Sequence, residues 1–212
     1  LFPKVTRRPV DRGMLYLATK TEPLKKVKTY DCEFAFRDQG KLIKIFSRPG
    51  VFSHRSLDGG TRAVLKAMTI QPGQKVLDLG CGSGALSLAA ALRGEGVQVT
   101  SIDAHIRAIE STARGAAANG ITSLLTILTA DGRTKDPGTY DVVLANPPYY
   151  SHYKIAEIFL QAAVQALKPE GQLVVVTKAP NWFINRLSKN SNCSPEILRR
   201  RSTRLTALCT LA

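Results

Sequence analysis

The chain has 212 residues and a formal net charge of +14, with 30 Lys and Arg against 16 Asp and Glu. That length fits one sizeable domain, alone or with a short appendage, and allows a large buried core. The charge favours a polyanionic partner, most simply nucleic acid, although a basic surface can also serve solubility alone. No apolar run approaches the roughly 20 residues that span a bilayer, which argues against a membrane protein.

The cysteines and histidines do not form a metal-binding pattern. There is no C-x-x-C pair and no grouping at metal-ligand spacing among Cys32, Cys81, Cys193, Cys209, His54, His105 and His152. We therefore expect no bound metal and reduced thiols in a reducing compartment. Without a secretory signal, the protein is expected in the cytoplasm, or in an organelle if a transit peptide has been removed.

Residues 1–46 are predicted to form a short basic lead-in. Two alternating runs, 27–36 and 41–47, flank the turn Arg37–Gly40 and predict a β-hairpin. We expect this hairpin to pack on the edge of a sheet. The rest of the chain, residues 47–212, is assigned to one domain.

From residue 75 onward, short apolar runs alternate with helical stretches. Strands are predicted at 75–80, 97–103, 124–131, 141–146 and 171–178, and helices at 84–94, 104–119 and 155–167. Pro169 and Gly171 are expected to close the last of these helices. The weaker pattern after Trp182 predicts a helix at 181–190 and strands at 196–201 and 204–212, joined at Ser202-Thr203. This alternation indicates an α/β fold with a mainly parallel sheet.

A Gly-rich turn follows the first of these strands, with glycines at Gly80, Gly82 and Gly84. Glycines let the backbone approach a ligand, and the amino end of the helix that follows favours a carboxylate. Asp78 suits an ammonium group, and Asp103, after the second strand, can accept both hydroxyls of a ribose. Although a G-x-G-x-G turn alone also fits dinucleotide binders, these groups together describe S-adenosylmethionine better.

Three further positions belong to this predicted cofactor site. Asp131, after the third strand, can accept a hydrogen bond from an adenine amine, or it can be a turn former. Its neighbour Gly132 and the residue after Asp103, Ala104, complete the set. Cys81 lies in the turn without a base at a recognisable spacing, and we interpret it as a small filler.

The fourth strand ends in Asn146-Pro147-Pro148-Tyr149. The Asn146 amide oxygen and the Pro147 carbonyl can accept hydrogen bonds from the two hydrogens of a planar amine. The prolines bring no N–H to compete and keep the turn rigid, and Tyr149 can stack on a base. Taken alone, the tetrapeptide fits an ordinary turn equally well.

With the Gly-rich turn and Asp103, this tetrapeptide resembles those of class I S-adenosylmethionine-dependent methyltransferases that modify nitrogen conjugated to a ring or carbonyl. The upstream segment, residues 47–68, contains PGVFS and LDGGT. It is similar to the methyltransferase small domain family, which contains ribosomal RNA guanine-N2 methyltransferases. The resemblance implies a Rossmann-like, mostly parallel seven-stranded sheet with an antiparallel terminal strand, S-adenosylmethionine as cofactor and ribosomal RNA as partner.

The resemblance also implies that the upstream segment lines the cofactor and substrate cleft, through Phe52, Ser53, Asp58 and Thr61. For Asp58 the alternative is a cap on the helix that starts near Gly60.

Substrate identity is less determined than reaction type. The family often has Phe where this chain has Tyr149, and NPPY also resembles release-factor glutamine and adenine-N6 methyltransferases. A non-catalytic RNA-binding factor on the same fold is the rival from another class, although the retained Asp78, Asp103 and NPPY oppose it. The run from Arg199 to Arg201 fits phosphate contacts or a solvated strand face.

Overall fold

The structure is a computed structural model that describes residues 2–23, 29–130, 137–148, 153–190, 193–201 and 204–211. The chain divides into two compact units, Leu1–Tyr30 and Asp31–Ala212. The hairpin predicted within the lead-in falls inside the second unit.

The first unit contains an antiparallel hairpin of β1 (Val5–Val10) and β2 (Gly13–Ala18). All its described residues are exposed. This hairpin was not predicted from the sequence, because strands without a buried face lack the apolar alternation by which strands are recognised.

The second unit begins with the predicted hairpin, β3 (Cys32–Asp38) and β4 (Lys41–Ser47). Gln39 and Gly40 both have positive φ, as a tight two-residue hairpin turn requires. Ile43 and Ile45 are fully buried and belong to the core of the second unit.

The expected position of this hairpin at a sheet edge is wrong. It forms a separate two-stranded sheet that packs on helices α2 (Ala85–Arg93) and α3 (Ile106–Ala118). Its apolar side chains, which a sheet edge could not cover, fill the space over these helices. Arg93 anchors the turn through hydrogen bonds of 2.8 Å to both carboxylate oxygens of Asp38.

The main sheet has seven strands. In chain order they are β5 (Lys75–Leu79), β6 (Gln98–Asp103), β7 (Leu125–Thr129), β8 (Tyr140–Ala145), β9 (Leu167–Thr177), β10 (Cys193–Arg201) and β11 (Arg204–Leu211). Their spatial order is β10-β11-β9-β8-β5-β6-β7, in which β5 to β9 are mutually parallel, β11 pairs antiparallel with β9, and β10 pairs antiparallel with β11. The predicted fold class is confirmed. The predicted turn at Ser202-Thr203 lies outside the described residues.

Helices cover both faces of the sheet. One core layer lies under β3–β4, α2, α3 and α1 (Gly59–Ala67); the other lies under α4 (Lys154–Ala166) and α5 (Pro180–Asn190). Neighbouring strand residues alternate between them, as Val76 and Leu77 do. Because both faces of each strand are covered, the strand sequences are continuously apolar and lack the alternation of a half-exposed strand.

One prediction within the sheet is wrong. Strand β9 begins at Leu167, directly after α4, so Pro169 and Gly171 lie inside it and do not close a helix. The pairing with β8 shifts register between Tyr140 and Val142, and Glu170 has a φ of 63°. An irregular stretch of this kind tolerates a proline that regular strand pairing would reject.

Candidate active site

A cleft of about 560 Å³ opens at the carboxyl edge of the parallel strands. Because β8, β5 and β6 are adjacent, the segments that follow them meet there. Its walls come from the upstream segment, the Gly-rich turn, the end of β6, the turn after β8 and the start of α4. They are formed by Gly50, Val51, Phe52, Gly80, Gly82, Ile102, Asp103, Ala104, His105, Ala108, Ala130, Asn146, Pro147, Pro148, Ile155, Ile158 and Phe159. The volume suits a small organic ligand.

The three glycines of the Gly-rich turn all have positive φ but serve different purposes. A Cβ on Gly80 would lie 2.9 Å from Phe159, and one on Gly84 would lie 2.8 Å from Thr112. A Cβ on Gly82 would be 3.7 Å from its nearest neighbour, Phe52. A side chain at Gly80 or Gly84 would therefore force Phe159 or Thr112 to shift, while at Gly82 a side chain would reduce the ligand space. Gly84 is not among the cleft-lining residues.

Asp103 lies half-buried in the cleft wall, with Ala104 beside it. Its Oδ2 accepts a hydrogen bond from the Gly82 backbone N–H at 2.9 Å, and Oδ1 accepts one from the His105 N–H at 2.8 Å. Each oxygen keeps a further lone pair, so the carboxylate is held in place and can still accept hydrogen bonds from a ligand.

Asp78 lies beneath the Gly-rich turn and is only 1 % exposed. Its Oδ2 accepts hydrogen bonds from Ser87, at 3.0 Å from the backbone N and 2.5 Å from Oγ. Its Oδ1 is the one buried side-chain oxygen or nitrogen without a partner among the described residues. Burial raises the pKa of Asp78 to about 7, against the opposing effect of the Ser87 hydrogen bonds.

The upstream segment closes one side of the cleft. Phe52 is 59 % exposed at the rim, and the Pro49 carbonyl accepts a hydrogen bond from Arg107 of α3 at 2.9 Å. This bond ties the segment to the helix whose amino end follows Asp103. Phe52 is among the residues that line the cleft, as predicted.

Asp58 and Asn146 lie side by side. Asp58 precedes α1 and accepts hydrogen bonds from the backbone N–H of Gly60 at 2.7 Å and of Thr61 at 3.3 Å. The hydroxyls of Ser53, at 3.0 Å, and Thr61 also donate to its Oδ2. The Asn146 Nδ2 donates to both Asp58 oxygens at 3.4 Å. The capping interpretation of Asp58 is confirmed. Asp58 also contacts Asn146 of the NPPY turn, but neither Asp58 nor Ser53 is among the residues that line the cleft.

Hydrogen bonds also decide the charge of Asp58. Burial acts to raise its pKa, but the donors around it outweigh that effect and hold the pKa below its usual value. The side chain is therefore an ionised, acceptor-only group at neutral pH.

Some predicted residues lie outside the described part of the chain: Tyr149, Asp131 and Gly132. Pro147 and Pro148 line the cleft beside Asn146. Thr61 does not line the cleft; it is buried and contacts Asp58 and the Asn146 Nδ2, the latter at 3.3 Å.

Sequence patterns did not indicate several contributors: Ser87, Gly60 and the cleft-lining Ile102, His105, Ala108, Ala130, Ile155, Ile158 and Phe159. Ser87 donates to the buried Asp78 and Gly60 to the half-buried Asp58. A Ser three residues after a Gly-rich turn was the only signal for Ser87. Ile158 and Phe159 lie on α4, where their apolar character is indistinguishable from that of core positions.

The remaining chemical groups do not add a second site. No cluster of His, Cys, Asp and Glu able to hold a metal ion occurs among the described residues. Burial raises the pKa of the Cys81 thiol well above its ordinary value, as expected of an inert filler. Within the described ranges, no helix is long and apolar enough to cross a membrane.

Comparison with known proteins gives consistent results. A protein of Hahella chejuensis named ribosomal RNA small subunit methyltransferase C is 32% identical over 149 residues, covering 66% of this chain and 43% of the relative. One of the same name from Salmonella arizonae is 30% identical, covering 79% and 48%. The aligned region spans less than half of each of these relatives.

A solved structure of a T. thermophilus 16S rRNA N2 methyltransferase, in complex with AdoMet and guanosine, matches with a TM-score of 0.84. The match has 21% identity and covers 100% of this chain and 59% of that one, which supports the fold. A family model described as methyltransferase small domain matches residues 42–190, more than half of the chain and all the described cleft positions. The predicted family is confirmed: the chain belongs to the methyltransferase small domain family.

Proposed function

We propose that this protein transfers a methyl group from S-adenosylmethionine to the exocyclic amine of guanine in ribosomal RNA. One observation carries the proposal: Asn146 lines the same cleft as Gly82 and Asp103. An acceptor for a planar amine and a site for a nucleoside-containing cofactor therefore share one space. The names of the relatives support the choice of ribosomal RNA.

The cleft fits the cofactor in two respects: Gly82 leaves space, and Asp103 has lone pairs for ribose hydroxyls. Asp78 is buried and does not line the cleft, but its Oδ1 has no partner among the described residues. A positive ammonium group above Asp78 would favour its ionised form. When bound, S-adenosylmethionine supplies a methyl group on a positively charged sulfur.

The turn after β8 holds the acceptor amine. Asn146 accepts one amine hydrogen through its amide oxygen, and the Pro147 carbonyl accepts the other, so the nitrogen lone pair points away from the turn. Positioning of this kind lowers the barrier without a strong base, because the methylated amine becomes acidic and loses its proton to water. Tyr149 stacks on the base in this proposal.

The net charge supports a nucleic-acid substrate. Lys and Arg contacts to phosphates make affinity fall with added salt. A ribosomal RNA substrate places the reaction where ribosomes are, in the cytoplasm or in an organelle.

A transfer assay with labelled S-adenosylmethionine tests the proposal. The substrates are ribosomal RNA, transfer RNA, DNA and a release factor, and the product nucleoside is identified by mass spectrometry. We expect N2-methylguanine in ribosomal RNA. Label only in the release factor, or N6-methyladenine as the product, would assign the site to one of the other acceptors that NPPY fits.

The matched variant is Asn146→Ala. Loss of one oriented polar group in an active site costs about 10²- to 10³-fold in turnover, so we expect a loss of that size. Cofactor affinity, measured by calorimetry, should stay within about threefold, because Asn146 lies on the acceptor side. Wild-type turnover in this variant would refute the assigned role.

A further inference from the structure

The side-chain amide of Asn146 is held through its nitrogen. Nδ2 lies 3.4 Å from each Asp58 oxygen and 3.3 Å from the Thr61 Oγ1. Among the described residues no donor to the Asn146 Oδ1 is found. Within the described part of the chain, the amide nitrogen is therefore engaged, while the oxygen lies beside Gly60 without a donor.

The charge of Asp58 decides whether the nitrogen or the oxygen of the Asn146 amide faces it. An ionised carboxylate only accepts hydrogen bonds, so it attracts the NH₂ group and repels the amide oxygen. An Asn146 rotated by 180° about its last torsion would place oxygen against carboxylate at the same distance. Its NH₂ group would then face the acceptor amine, which could no longer donate to it.

The surroundings hold Asp58 in this place. Its donors Ser53 and Thr61 come from the upstream segment and from α1. Gly60 leaves the space, since a Cβ there would lie 2.7 Å from the Asn146 Oδ1 and 2.9 Å from the Asp58 Oδ1. The positions of Asp58 and Asn146 therefore depend both on the donors to Asp58 and on the space left by Gly60.

We propose that Asp58 is a positioning residue that fixes the Asn146 amide with its oxygen toward the acceptor amine. Asp58 itself touches neither the amine nor the methyl group. This inference rests on the proposed function, because it assigns Asn146 the acceptor role in methyl transfer.

The first test is Asp58→Asn. Asn is also a favoured helix cap, so α1 keeps its capping oxygen. Since both carboxylate oxygens lie 3.4 Å from Nδ2, one of them becomes an NH₂ group facing the Asn146 NH₂ group. The Asn146 amide should rotate, and kcat should fall by about 10²-fold, while cofactor Kd and the unfolding midpoint stay close to wild type.

A readout apart from activity is the side-chain NH₂ signal of Asn146 in proton–nitrogen NMR spectra, assigned by its loss in Asn146→Asp. We expect this signal to shift in Asp58→Asn. Gly13→Ala is the control and should leave the signal unchanged, because nothing lies within 4 Å of the Cβ that it adds.

The second test is the exchange of the two side chains in Asp58→Asn/Asn146→Asp. In Asn146→Asp alone, two carboxylates face each other, and kcat should fall. In the double variant the amide introduced at position 58 donates to one oxygen of the carboxylate introduced at position 146, and the other oxygen accepts from the substrate amine. We expect the double variant to be at least about tenfold more active than the worse single variant, as coupled neighbours allow.

Wild-type kcat and an unchanged NMR signal in Asp58→Asn would overturn the inference, as would strictly additive losses in the double variant. Failure of the proposed function looks different: the wild-type protein would methylate none of the substrates, while the NMR signal would still report the amide orientation.

Discussion

Two carboxyl groups near the cleft, Asp58 and Asp78, have opposite electrostatic properties. Asp58 is half-buried and receives donors from two backbone N–H groups and three side chains, and its pKa lies below the usual value. Asp78 is fully buried with donors from Ser87 alone, and burial raises its pKa to about 7. Burial penalises both charges, and the deeper burial of Asp78 together with its fewer donors keeps its pKa high, whereas the donors around Asp58 outweigh its partial burial.

This difference separates two tasks. Asp58 stays ionised at neutral and mildly acidic pH, which suits a residue that orients a neighbour. Burial raises the pKa of Asp78 to about 7, so its charge changes near neutral pH. Four predictions test this contrast, from the largest expected effect to the smallest.

Asp58→Ala removes the carboxylate altogether. Without it Asn146 loses its orientation and α1 loses its cap, so kcat should fall by about 10²- to 10³-fold and the free energy of unfolding by about 1 kcal/mol. Transfer assays and urea unfolding measure the two effects. A loss of stability with unchanged kcat would mean that Asp58 only caps α1 and does not position Asn146.

Gly60→Ala keeps every polar group but fills the space between them. The new Cβ would lie 2.7 Å from the Asn146 Oδ1, so Asn146 must move, and kcat should fall by about 10²-fold. Gly13→Ala is the matched control, because nothing lies within 4 Å of the Cβ that it adds. Equal kinetics in the two variants would contradict the close packing of Gly60 and Asn146.

Asp78→Asn tests the second carboxyl through pH. A folded-state pKa raised from 3.8 to about 7 means that the folded protein holds this proton more tightly than the unfolded chain. Its contribution to stability is thus fully present below pH 3.8 and is lost as the pH rises through 7. Between about pH 5 and about pH 8 this loss should amount to about 2 kcal/mol, and it should be absent in Asp78→Asn. Urea unfolding without cofactor at both pH values measures it; identical slopes in both proteins would refute the raised pKa.

Ser53→Ala removes one of the donors to Asp58 and none to Asn146. Because the other donors remain, kcat should fall by only a few-fold, at a cost of about 1 kcal/mol or less in stability. Steady-state kinetics of Ser53→Ala and Asp58→Ala, measured side by side, compare the two losses of kcat. A loss as large as that of Asp58→Ala would mean that Ser53 alone holds the carboxylate.

Much of the fold was predictable because it depends on local pattern. The apolar runs at 75–80 and 141–146, and the helix predicted at 104–119, correspond to β5, β8 and α3 with small differences at the ends. Hairpin β1–β2 was missed because it buries no apolar face. The position of β3–β4 over helices, and the start of β9 at Leu167, depend on contacts between distant segments that periodicity does not report.

The candidate site divides in the same way. Residue types and spacing by themselves determined the family, the Gly-rich turn and the NPPY turn. Glycines, prolines and acids at strand ends act through local backbone geometry, which depends on residues that are close in sequence. Only the tertiary structure decided that Asp58 meets Asn146 across 88 positions, that Gly84 serves packing, and that the two aspartates differ in charge. The physical reason is that hydrogen-bond partners and burial belong to the folded arrangement, and these set the orientation of an amide and the pKa of a carboxyl.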